Sequence, residues 1–178
     1  MSTDANSGSR SPDGIGEDNV RPVEGWRRHA SPLALVVFGA VILLALTGML
    51  GHERDWRAEG DGTSLLVHAP EIIRNGEFLE IRIDVASEAP IDELVIGVAT
   101  SLWEDMTVNT MIPAATEESG TDGAFRFTFD RLEAGTVFEL KIDLQVNPDI
   151  VGGNQGDITV YDGEEAITQV TIGMTVLP

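Results

Sequence analysis

Between residues 78 and 85 the chain reads "FLEIRIDV", and between 138 and 146 it reads "FELKIDLQV". Leu79, Ile81, Ile83 and Val85 alternate with polar neighbours in the first segment. Phe138, Leu140, Ile142, Leu144 and Val146 do so in the second. A period of two sends successive side chains to opposite faces of a strand, so each segment buries one face and wets the other. "FRFTFD" repeats the pattern through Phe125, Phe127 and Phe129, and less regular runs occupy 64–69, 94–100, 106–112, 157–161 and 166–176. Turn-forming stretches such as "RNGE", "SEAPID", "SGTDG", "EAGT", "NPDIVGGNQG" and "YDGEE" separate them. About eight short strands, with no sustained helical period among them, predict an all-β antiparallel sandwich of 7–8 strands over residues 63–178.

The segment before that domain has a different constraint. Residues 33–51 run for 19 positions without a charge. As a helix they would extend about 28 Å, close to the hydrocarbon thickness of a bilayer. Their apolar character runs all round rather than along one stripe. Leu33, Leu35, Val36, Phe38, Ile42, Leu43, Leu46 and Leu50 are the residues expected to face lipid, with Trp26 and Trp56 outside the two ends at headgroup level. The apolar stretch is longer than a signal-peptide core and is followed by bulky Met49 and Leu50, so an uncleaved signal-anchor is expected rather than a cleaved leader. Arg21, Arg27 and Arg28 precede it and Arg54 and Arg57 follow it, which favours a cytoplasmic N-terminus and an extracytoplasmic C-terminal domain. The predicted organisation is a disordered polar tail over 1–32, the anchor over 33–51, a linker over 52–62 and the sandwich over 63–178.

"EIIRNGEFLEIRIDVASEAPIDELVIGV" places a Gly turn, an alternating strand, a proline-containing polar turn and a second strand in succession. That order resembles the start of bacterial immunoglobulin-like sandwich domains, and "LEAGTVFELKIDLQV" resembles the Gly turn and long strand near their end. The resemblance is one of pattern, covers residues 63–178, and implies an immunoglobulin-like fold. The cysteine pair and core tryptophan of antibody domains are absent, and fold alone does not carry function.

Charge and composition narrow the function. Thirty acidic residues stand against 11 basic ones, a formal net charge of −19, and Lys141 is the only lysine. Such a chain is a poor partner for nucleic acid, whose binding rests on basic residues displacing phosphate counterions. The chain has no cysteine, which removes disulfides, thiolate metal sites and cysteine nucleophiles.

The residue types present limit the chemistry that any site could perform. His68 is the one histidine away from the apolar segment, and no "GxSxG" surrounds any serine, so nucleophilic catalysis has little to stand on. The pairs Glu104-Asp105, Glu117-Glu118 and Glu164-Glu165 lie in polar stretches, where neighbouring carboxylates are ordinarily solvated rather than arranged as an acid and a base across a cleft. Asn147, Asp149, Asn154, Asp157 and Asp162 supply oxygen ligands of the type calcium takes, although their spacing matches no familiar calcium loop and the same residues favour turns. In "SLWEDMTVNTMIPAA", Trp103, Met106 and Met111 concentrate in a stretch of poor alternation, a composition found where proteins meet partners. The expected function is therefore non-enzymatic. A membrane-anchored accessory protein presents its sandwich to an envelope or integral membrane protein, without a cofactor and without nucleic acid. The alternatives are an envelope carbohydrate-binding module using Trp103, and a calcium-dependent adhesion module.

Overall fold

The computed structural model describes residues 26–47, 53–121, 123–147 and 152–177. The first element is helix α1, Trp26–Leu46. Its last turn closes where the Thr47 amide donates to Leu43 O at 3.1 Å and the Thr47 hydroxyl donates to Leu44 O at 2.6 Å. Pro32 lies inside the helix, where its ring removes one backbone hydrogen bond. The uninterrupted apolar part, 33–46, extends about 21 Å at 1.5 Å per residue, short of a hydrocarbon core about 30 Å thick. Among the described residues no helix is long and apolar enough to cross a membrane. The transmembrane helix expected over 33–51 is corrected accordingly, to a helix that ends at Leu46. Leu33, Leu35, Val36, Phe38, Ile42, Leu43 and Leu46 are all exposed on it. Leu50 lies outside the described residues, as does most of the predicted tail, residues 1–25.

The chain divides into two compact units between Thr47 and Gly48, and the second is a two-sheet β-sandwich. Its strands are β1 (Glu53–Gly60), β2 (Thr63–Pro70), β3 (Ile72–Arg74), β4 (Phe78–Ser87), β5 (Leu94–Ala99), β6 (Met106–Ile112), β7 (Glu117–Thr121), β8 (Ala124–Thr128), β9 (Val137–Val146), β10 (Gly152–Asp162) and β11 (Glu165–Leu177). One sheet runs β1-β2-β4-β9-β6 and the other β3-β11-β10-β5-β8-β7. All pairings are antiparallel except β11 with β3. The strand number is therefore 11 among the described residues, not the 7–8 expected.

The three additional strands have physical reasons for escaping a period-two reading. In β1, "ERDWRAEG", both faces are largely wet, so charge appears on successive residues where a linker was expected. Trp56 belongs to this strand, half-buried with the Arg54 guanidinium 5.5 Å from its ring. Strand β3 is only three residues long, and β7, "EESGT", is an edge strand without an aliphatic residue.

The alternating positions form the core. Ile81, Ile83 and Val85 of β4 and Leu140, Ile142 and Leu144 of β9 are fully buried. They meet Ile96 and Val98 of β5, Ile158 and Val160 of β10, and Ile172 and Met174 of β11. Each such aliphatic side chain contributes about 1.5–3 kcal/mol through removal from water. No disulfide supplements that core.

On the outer face of the second sheet, Gly97 of β5 makes room for the ring of Tyr161. A methyl group at Gly97 would sit 2.8 Å from Tyr161 Cε2. Over the same ring lies the Arg126 guanidinium, 4.6 Å from its centroid, which also pairs with Glu164 at 2.7 Å. The hydrogen bond from Arg126 to Glu164 raises the arginine pKa further above its ordinary value, against the opposing effect of desolvation. Gly97→Ala is expected to destabilise the fold by about 1–3 kcal/mol through overpacking, measured as a lowered urea midpoint.

Candidate functional site

The two sheets do not close over one another everywhere. At one side β6 ends the first sheet and β7 ends the second, and between them lies a groove of about 420 Å³. Trp103, Met106, Val108, Met111, Phe125 and Phe127 form its apolar walls, and Glu118 is its charged lining residue. Trp103, Met106 and Met111, grouped in the sequence by composition, thus come together in space.

Strand β6 reaches this geometry through a bulge. Met106 opposes Val146 of β9, Val108 opposes Leu144 and Met111 opposes Ile142, all three partners being buried in the core. The register shifts between Val108 and Thr110, so Asn109 is the extra residue. Without it, the period of two would turn Thr110 inward after Val108. With it, Met111 returns to the inner face. The poor alternation of this segment is the trace of the bulge.

Trp103 is carried by the connection from β5 to β6, which β10 holds in place. Asn154 Nδ2 donates to Glu104 O at 2.9 Å and to Leu102 O at 3.3 Å. Ser101 Oγ donates to Gln155 O at 2.8 Å. Next along β10 is Gly156, whose absent side chain leaves space for the connection: an added Cβ would stand 2.9 Å from the Cβ atoms of both Ala99 and Leu102. The Met106 amide then donates to Trp103 O at 3.1 Å, and Asp105 takes a positive φ of 59° in the turn. Held this way, the indole is 5% exposed, stacked on Phe125 at a centroid distance of 6.1 Å and tilted against Phe127 at 5.6 Å. Its Nε1 is buried without a hydrogen-bond acceptor among the described residues. Asn154→Ala is expected to cost about 1–3 kcal/mol, because two loop carbonyls lose their donor. Near-UV circular dichroism should report a loosened Trp103 environment in that variant.

The other candidates have different surroundings. Asn147 accepts from the Thr107 hydroxyl at 3.2 Å, Asp157 accepts from the Thr171 hydroxyl, and Asp162 accepts from the Glu93 amide at 3.0 Å. Asn154 and Asp162 lie on one extended strand, eight residues and roughly 26 Å apart, so these oxygen ligands do not converge. Asp149 lies outside the described residues. Among the described residues no group of three or more His, Cys, Asp or Glu is arranged to hold a metal ion. His68 on β2 sits between two carboxylates, with Nδ1 2.7 Å from Asp55 and Nε2 3.5 Å from Asp84. Glu104 and Asp105 flank the start of β6, Glu117 and Glu118 lie on β7, and Glu164 extends from the β10–β11 hairpin to Arg126.

Sequence reasoning did not single out the other groove residues, Val108, Phe125 and Glu118 among them. Val108 lacked an alternation signal because of the bulge. Phe125 read as core through its spacing with Phe127 and Phe129, yet it lies at the open side of the sandwich and is 40% exposed. Glu118 read as an ordinary solvated carboxylate.

The fold and the groove define a class: a two-sheet β-sandwich with an apolar cleft between two of its edge strands. No protein-family model matches the chain, and none of the curated proteins compared with it is similar.

Proposed function

We propose that this is a non-enzymatic interaction protein that presents its sandwich at a membrane to an envelope or integral membrane protein. The groove of Trp103, Met106 and Met111 is its contact surface. The observation that carries this reading is the open apolar cleft itself. Aromatic and methionine side chains line it, the combination enriched at protein interfaces.

Attachment to the bilayer is supported by the uncharged run 33–51, which extends beyond the described end of α1. Its exposed apolar side chains on every side of α1 suit an apolar surrounding. In this reading the apolar run associates with lipid and keeps the sandwich close to the membrane. Tethering concentrates the domain near membrane partners, so a modest intrinsic affinity suffices. The resemblance to bacterial immunoglobulin-like domains belongs to the same proposal, supported by a chain that passes repeatedly between the sheets, as from β4 to β5 to β6. The stacking of Trp103 against Phe125 leaves its ring less available as a sugar platform, which favours a protein partner over a carbohydrate.

The test is purification of the full chain from crosslinked membranes in mild detergent, beside a Phe125→Lys variant. One specific membrane partner should accompany the parent protein and be lost from the variant. Equal recovery with both proteins, or recovery of the chain from the soluble fraction, would refute the reading.

A further inference from the structure

Four edge strands bound the two sheets: β1, β3, β6 and β7. Edge strands expose unpaired backbone donors and acceptors, and proteins ordinarily blunt them with charge or shortness. Strand β1 carries five charged residues, β3 is three residues long and ends in Arg74, and β7 begins with Glu117 and Glu118. Strand β6, "MTVNTMI", is seven residues long and has no charge. Its Val108 and Ile112 are exposed, and its inward side forms one wall of the groove. The bulge at Asn109 turns Met111 into the groove, and β6, last in its sheet, has one edge without a partner strand among the described residues.

Across the groove stands Glu118, paired in register with Phe127 and so on the same side of its sheet as that inward-facing ring. It has no ion pair among the described residues, and no basic residue lines the groove with it. Glu104 and Asp105 add negative charge where β6 begins.

We propose that β6 accepts an extended segment of the partner as an added strand. That segment places alternate apolar side chains in the groove and one arginine or lysine against Glu118. Backbone hydrogen bonds along the β6 edge supply affinity and the groove supplies specificity, the division of labour seen in strand addition. A second copy of this chain fits less well: its own β6 carries no cation, so pairing two β6 edges leaves both Glu118 carboxylates unneutralised in a complex of two chains of net charge −19.

This inference rests on the interaction reading, and its test separates the two. A displayed library of random ten-residue peptides is selected against the full chain in detergent. Enriched peptides are expected to alternate apolar residues and to carry a basic residue. Glu118→Gln should weaken the best of them about tenfold. N-methylation of one alternate set of peptide amides should abolish binding while the other set tolerates it, because only every second amide faces the receiving edge. No enrichment, enrichment without basic residues, or equal effects of the two methylation sets would overturn strand addition. A stable dimer of the full chain that Val108→Lys converts to monomer would assign the edge to a second copy instead. If the crosslinked partner is lost with Phe125→Lys while the peptides fail, the interaction reading stands and only the mode of docking falls.

Discussion

Replacing Trp103 by alanine is expected to lower the free energy of unfolding by about 3–5 kcal/mol, as removal of a large buried aromatic side chain does. The indole is almost fully covered and supports both Phe125 and Phe127, so its loss opens a cavity under the groove and frees two rings. No hydrogen bond is lost with the indole, since Nε1 has no acceptor among the described residues, so the cost is one of packing. Urea unfolding of the full chain, followed by near-UV circular dichroism, measures the effect. Phe125→Ala is the internal comparison: that ring is substantially exposed, and its removal should cost clearly less. Similar costs for the two variants would mean that Trp103 is less essential to the packing than its burial implies.

The second large effect is expected at Gly156. A side chain there meets the Cβ atoms of Ala99 and Leu102 at 2.9 Å, closer than carbon atoms approach without displacement, and Ser101 Oγ at 3.0 Å. The two carbon neighbours are Cβ atoms fixed to the backbone at the end of β5 and in the connection that carries Trp103, so they cannot swing aside. Gly156→Val should therefore cost about 1–3 kcal/mol by overpacking and also shift the Trp103 connection away from β10. The distinguishing sign is a coupled one: reduced stability together with an altered near-UV signal and a distorted groove. A variant with unchanged stability and spectrum would show that the connection yields without cost.

The contrast between what the sequence announces and what it conceals follows from how each signal arises. Strands buried on one face, such as β4 and β9, advertise themselves because Ile81, Ile83, Ile142 and Leu144 must alternate with wet neighbours. Edge strands have weaker obligations. Strand β1 is wet on most of its residues, β7 is polar throughout, and β3 is too short for any period to show. The groove was half legible: Trp103, Met106 and Met111 stood out by residue type, whereas Val108 and Glu118 entered through register and tertiary pairing. A bulge at Asn109 inverts the face on which later residues fall, and sequence periodicity reads that inversion as noise. The apolar segment poses the opposite difficulty. Its composition announces lipid over 33–51, while the described helix begins with charged residues and ends at Leu46. Asn154 has a role that residue type alone does not announce: its amide donates to the two carbonyls that flank Trp103.

On the proposed function, the cleft between β6 and β7 is where the protein meets its partner. A photoreactive amino acid placed at Val108, on the groove, tests it against the same probe at Glu139, which opposes Asp84 on the solvent-facing side of the first sheet. Irradiated in intact membranes, the Val108 probe should form one discrete adduct that Phe125→Lys abolishes, and the Glu139 probe should form none. An adduct at Glu139 with none at Val108 would contradict the account.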